Sequence, residues 1–185
     1  RALREGGVQF IEITMTVPGA LDVIEKAVGA LRKEGVYVGA GTVLDSETAR
    51  LAILAGAAYV VSPVVRPEVI TTCKRYSIPV MPGAMTPTEV LNAWEAGGDV
   101  IKIFPAGVGG PQFFKDLKGP LPHIDLMPTG MVNRETAPKF IQAGACAVGA
   151  GTELVGKALI AARDFAKITA NAREFITLVR EARGQ

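Results

Sequence analysis

Short runs rich in β-branched and aromatic residues recur along the chain at positions 10–14, 36–39, 59–62, 78–81, 100–104, 124–127 and 146–149. They return roughly every 20 to 25 residues, the length of one strand plus one helix. Helix-compatible segments lie between most of them and end on glycine, as at Glu34-Gly35, Ala55-Gly56, Ala96-Gly97-Gly98 and Ala143-Gly144. Glycine there suits a C-terminal cap leading into a parallel strand. The repeating unit is therefore βα.

Two intervening segments carry detail. Ala20, Leu21, Ile24, Ala27, Val28 and Leu31 form one apolar face after Pro18, whose fixed φ and missing donor predict an early helical position. Thr86-Pro87-Thr88-Glu89 predicts a helix start in which Thr86 caps, Pro87 follows and Glu89 returns a bond to the cap. Beyond the seventh run, residues 153–183 have helical periodicity and no eighth strand. Residues 1–7 read as a helix tail closed by Gly6-Gly7, so the chain is expected to start within a βα unit. These patterns predict one domain over 1–185, an α/β barrel of the (β/α)8 TIM type with its first strand missing from the N-terminus. An open doubly wound sheet is the other arrangement compatible with them.

Length sharpens that expectation, because 185 residues fall short of the roughly 250 typical of an eight-stranded barrel. With 49% hydrophobic and 21% charged residues the chain can bury a core. Its 20 Lys and Arg against 18 Asp and Glu are scattered, which points to neither nucleic acid nor an anionic membrane as partner. Residues 1–7 lack the apolar centre of a signal peptide, and no segment offers about 18 consecutive apolar residues, so a cytoplasmic protein is expected. Cys73 and Cys146 lack metal or redox spacing and read as core thiols, and the lone His123 rules out His clusters.

Two charged residues interrupt apolar strands. Glu12 lies in Phe10-Ile11-Glu12-Ile13 and shares a face with Thr14, and Lys102 lies between Ile101 and Ile103 and shares a face with Phe104. If one strand precedes the first, the two fall on opposite strands of a barrel and both point inward. Burying either charge alone is costly. Desolvation lowers a lysine pKa and frees an amine to attack a ketone, while a nearby carboxylate transfers protons. The same pattern also fits a structural ion pair. Thr42 and Thr129 stand at strand ends, where hydroxyls can hold a carboxylate or simply serve a turn. Phe104-Pro105 can wall a pocket or only close the barrel. Gly130-Met131 and Gly149-Ala150-Gly151-Thr152 leave the last two strands, where such barrels bind phosphate on backbone donors, although both can also be plain tight turns.

Taken together, Phe10-Ile11-Glu12-Ile13-Thr14, Gly39-Ala40-Gly41-Thr42-Val43, Val61-Ser62-Pro63, Met81-Pro82-Gly83, Ile101-Lys102-Ile103-Phe104-Pro105 and Met127-Pro128-Thr129-Gly130 resemble the class I aldolases acting on 2-keto-3-deoxy-6-phosphogluconate, with the related 4-hydroxy-2-oxoglutarate activity. The resemblance runs in order over nearly the whole chain. It implies a Schiff base on Lys102, proton transfer by Glu12, and substrate contacts from Thr42, Pro63, Phe104, Pro105, Thr129, Gly130, Met131, Gly151 and Thr152. It also implies a reversible retro-aldol cleavage to pyruvate and D-glyceraldehyde 3-phosphate with no metal and no cofactor, in a homotrimer whose ligands are a 2-keto acid and an aldehyde.

Two positions depart from the family pattern. Thr16 stands where many members carry arginine, and Met131 replaces a second glycine on the phosphate side. The latter change implies a weaker phosphate cradle or another substrate tail, such as that of an unphosphorylated or differently configured 2-keto acid. An isomerase or epimerase using Glu12 as base, and a non-enzymatic phosphate- or keto-acid-binding barrel, are the competing functions. Arg66 reads as a surface residue and His123 as a strand-edge or loop residue.

Overall fold

The computed structural model describes residues 1–185. In chain order its elements are α1 (Ala2–Glu5), β1 (Phe10–Thr14), α2 (Ala20–Leu31), β2 (Tyr37–Gly41), α3 (Ser46–Leu54), β3 (Val60–Val61), α4 (Pro67–Arg75), β4 (Val80–Met81), β5 (Gly83–Ala84), α5 (Pro87–Glu95), β6 (Ile101–Ile103), α6 (Ala106–Lys118), β7 (Leu126–Pro128), α7 (Thr136–Gln142), α8 (Lys157–Ala161) and α9 (Phe165–Ala182). They form two compact units, Gln9–Phe104 and Arg1–Val8 with Pro105–Gln185.

In the Gln9–Phe104 unit, β1, β2, β3 and β4 pair in parallel in that order, and β5 pairs in parallel with β6. Period-2 alternation divides the first sheet. Ile11, Ile13, Val38, Ala40, Val60 and Val80 turn to one face, where they pack with Ile24 and Leu31 of α2, Ala49 and Ala52 of α3, and Val69, Ile70 and Cys73 of α4. The apolar stripe of each helix covers that face, and removing this area from water drives the packing. The opposite face carries Phe10, Glu12, Tyr37, Gly39, Gly41 and Tyr59.

Local signals set the boundaries. Thr86 accepts from the Glu89 amide at 3.2 Å while the Glu89 carboxylate accepts from the Thr86 amide at 2.9 Å, so the expected capping box starts α5. Asp45 caps α3 by accepting from the Thr48 amide. Pro18 sits outside its helix, contrary to expectation, because Gly19 adopts the left-handed conformation just ahead of α2 and turns the chain there. The run at 78–81 does not continue past Pro82, which has no N–H for a ladder; its carbonyl instead accepts from the Lys102 amide at 2.9 Å.

In the other unit, α1 ends at Gly6 and Gly7, and the Val8 amide returns to the Leu3 carbonyl at 3.0 Å. The α6 segment is two helical pieces joined at Gly110, followed by Pro111. Phe114 of α6 and Phe140 of α7 meet edge to face at 5.0 Å, both buried. Residues 146–149 correct the seventh expected strand. Cys146 and Gly149 donate to Leu126 and Pro128, but the pairing reduces to one bridge between Thr129 and Gly149, since Ala147 and Gly149 favour strands poorly. Residues 153–183 form α8 and α9 without a strand, as the periodicity predicts. No helix is long and apolar enough to cross a membrane.

Candidate active site

Lys102 is the middle residue of β6, flanked by the fully buried Ile101 and Ile103, and only 5% of its own surface is exposed. Its ammonium nitrogen lies 5.1 Å from the centre of the Phe104 ring, two residues on along the same face. Burial pulls the amine below the ordinary lysine range, and the negative charge of Glu12 opposes that pull. The aromatic face favours a cation at the same spot, whether ammonium or protonated imine.

Glu12 shows the mirror-image shift. Burial raises its pKa above the ordinary carboxylate value, and Lys102 opposes the rise. By accessible area the residue as a whole is exposed. Water at that exposed surface moderates the shift. In both groups desolvation outweighs mutual attraction. Burial thus eases loss of the amine's proton and makes the carboxyl hold its proton more tightly, which suits a nucleophile and a group that both gives and takes protons.

The floor beneath Glu12 is glycine. Glu12 pairs with Gly39 in the β1–β2 register, and its side chain leans over Gly41, where a Cβ would collide with Glu12 Oε1. Thr42 follows, with φ 57°. A β-branched residue in the left-handed region costs about 1–3 kcal/mol, and flanking bonds hold it there: Met15 donates to the Gly41 carbonyl at 2.8 Å and Val43 to that of Val61 at 3.2 Å. Pro63, half-buried after β3, lies so close to Gly83 that no Cβ fits between them. Arg66 is exposed and ion-paired with Glu68 at 2.5 Å.

The remaining expected residues belong to the other unit. Thr129 Oγ1 is buried with no hydrogen-bond partner in the protein, an arrangement that a ligand oxygen or water would relieve. Gly130 and Met131 both have positive φ, 88° and 60°, so methionine occupies a backbone state that suits glycine. Its side chain is 78% exposed and lies over Gly107. The Ala106 and Gly107 amides are taken by the Thr129 and Gly130 carbonyls at 2.9 and 3.2 Å. Pro105, Gly151 and Thr152 are exposed, and the Gly151 carbonyl accepts from Leu154 and Val155 in a tight turn.

A charged residue in an apolar run was enough to single out Glu12 and Lys102. The glycine floor and Tyr59, whose ring covers Gly39, were missed. Their signal is register, which sets Gly39 beside both.

Comparison with known proteins names the class this geometry belongs to. The sequence matches the aldolase family described as KDPG and KHG aldolase over residues 1–171. It is 34% identical over 182 residues to a 2-dehydro-3-deoxy-phosphogluconate aldolase of Treponema pallidum, a match covering 97% of this chain and 85% of that protein. A solved structure of native KDPGal superposes with a TM-score of 0.91 at 31% identity, covering 100% of this chain and 87% of the other. A KDPG aldolase from Legionella pneumophila, with pyruvate captured as a covalent carbinolamine, superposes with a TM-score of 0.87 at 26% identity, covering 93% and 83%. The fold is accordingly a (β/α)8 TIM barrel of alternating parallel strands and helices. The chain belongs to the KDPG and KHG aldolase family, whose members are class I, Schiff-base-forming aldolases.

Proposed function

We propose that the chain catalyses reversible cleavage of 2-keto-3-deoxy-6-phosphogluconate to pyruvate and D-glyceraldehyde 3-phosphate, with Lys102 as the Schiff-base lysine and Glu12 as the proton-transferring carboxylate. The burial of Lys102, with the Glu12 charge acting on it, carries this reading. The neutral amine adds to the C2 ketone, and the Glu12 carboxyl gives its proton to the departing hydroxyl, so that water leaves behind a protonated imine and a carboxylate. Glu12 takes the C4 hydroxyl proton as the C3–C4 bond breaks; the bonding electrons pass into the imine, giving an enamine and free aldehyde. Glu12 returns that proton to C3, and addition of water releases pyruvate, restores the neutral amine and gives its surplus proton back to Glu12. The Phe104 ring stabilises the cationic imine.

A hydrogen bond from Thr129 to the keto-acid carboxylate rests on family resemblance. For Thr42, Pro63, Pro105, Gly130, Met131, Gly151 and Thr152, substrate contact rests on family resemblance. A homotrimer rests on the same footing.

Met131 favours a second reading, in which the preferred substrate is an unphosphorylated keto acid such as 4-hydroxy-2-oxoglutarate. Its exposed side chain and left-handed backbone stand where a second glycine would leave the backbone bare. Product analysis with both substrates separates the readings. Pyruvate with glyceraldehyde 3-phosphate as the faster pair supports the first, and pyruvate with glyoxylate the second. Isomerised or epimerised sugar phosphate without pyruvate would overturn both.

A further inference from the structure

The Glu12–Gly39 pair extends by one more strand. Ala40 pairs with Val60, which puts Tyr59 one step earlier, level with Gly39. Glu12, Gly39 and Tyr59 therefore form a row on one face of three parallel strands, with a gap at its centre where glycine has no side chain. Two strand spacings, about 9.5 Å, separate the outer backbones. The Tyr59 ring fills the gap: a Cβ at position 39 would strike its Cε2, Cζ and Cδ2 atoms, the outer part of the ring. The hydroxyl on Cζ thus extends past Gly39 toward β1, and the ring meets Phe10 of that strand at 6.0 Å. Tyr59 is 6% exposed, so the ring is held in place.

From this row we infer that Tyr59 is a positioning residue for Glu12, its phenol directing an O–H dipole at the carboxylate through one water and favouring the ionised form that accepts protons. The phenol remains protonated throughout, since burial and then the Glu12 charge both push its pKa upward. This inference rests on the reading of Glu12 as the proton-transferring group, and deepens it.

Tyr59→Phe keeps the ring over Gly39 and removes only the hydroxyl. Two measurements on pyruvate separate proton transfer from imine chemistry: exchange of its methyl protons for deuterium, which needs proton movement at C3, and borohydride trapping on Lys102, which needs only the imine. In Tyr59→Phe, trapping is expected to match the unmodified protein, while exchange slows about tenfold, within the range for general acid–base effects. Losing the dipole raises the Glu12 pKa, so the acid limb of the exchange profile moves to higher pH. In a Glu12→Gln background, adding Tyr59→Phe should change exchange no further. Unchanged exchange and pH profile in Tyr59→Phe would overturn the inference, as would trapping that falls in step with exchange. If the unmodified protein neither traps nor exchanges pyruvate, the underlying reading of Lys102 and Glu12 fails, and this inference with it.

Discussion

Lys102 stands opposite Gly83 in the β5–β6 ladder, just as Glu12 stands opposite Gly39 in the β1–β2 ladder. Each ionisable side chain thus has a glycine beside it, where any larger residue would add bulk next to the charged group. A neighbouring strand takes the space each glycine leaves, the Tyr59 ring at Gly39 and the Pro63 backbone at Gly83, and this packing helps to desolvate the two groups. The proposed chemistry needs such packing, which leaves an amine dry enough to lose its proton.

Glu12→Gln should leave the imine chemistry in place and slow proton transfer by about 10²–10⁴-fold in turnover. It also removes the charge that raises the Lys102 pKa. The pH midpoint for borohydride trapping, expected below the ordinary lysine value of 10.5 in the unmodified protein, should move lower still. A midpoint that rises or does not move would show that Glu12 does not act on the amine.

Gly41→Ala places a methyl group where Glu12 Oε1 now lies, so the carboxylate must shift. Small displacements of a catalytic group can lower kcat by about 10²-fold. The expected result is a large fall in kcat with trapping at Lys102 retained and a thermal transition close to that of the unmodified protein. Full activity would mean that the carboxylate has no fixed place in the reaction.

Lys102→Met tests what burying the amine costs. A lysine whose folded pKa is lowered binds fewer protons in the folded than in the unfolded state between that value and 10.5, so its presence makes stability rise with pH across this window. Below the window the cost is complete. The variant should melt above the unmodified protein at neutral pH, with the difference shrinking toward pH 10.5. A lower melting temperature at neutral pH would indicate that the ion pair is a net stabilising contact.

Met131→Gly removes a non-glycine residue from the left-handed region, worth about 1–2 kcal/mol, against about 0.4–1 kcal/mol of added unfolded-chain entropy. Stability should equal or slightly exceed that of the unmodified protein. The ratio of kcat/KM for phosphorylated over unphosphorylated substrate should rise, because the backbone becomes accessible. An unchanged ratio would show that Met131 does not set the preference.

The chemistry was more legible in the sequence than its support. A glutamate and a lysine stand out within apolar strand runs because burying either charge is costly unless a partner or a reaction makes use of it. Period 2 placed Phe104 beside Lys102, as the 5.1 Å contact bears out. The capping box at Thr86 was equally local and equally readable. Tyr59, Gly39 and Gly83 were not, because their importance depends on which residue of a neighbouring strand stands opposite, and register is a tertiary property. The short β5 after Pro82 and the reduction of 146–149 to one bridge escaped for a related reason: pairing there is set by missing donors and small residues, which a β-rich run conceals. At Met131 the spelling announced a departure, and the structure added its backbone consequence, a φ of 60°.

The central claim, that Lys102 carries the Schiff base, is tested most directly by incubating the protein with pyruvate, reducing with borohydride and mapping the adduct by peptide mass. The account predicts one reduced pyruvyl group, on Lys102, and none in Lys102→Ala. An adduct on another lysine, or a folded and active protein that forms none, would contradict it.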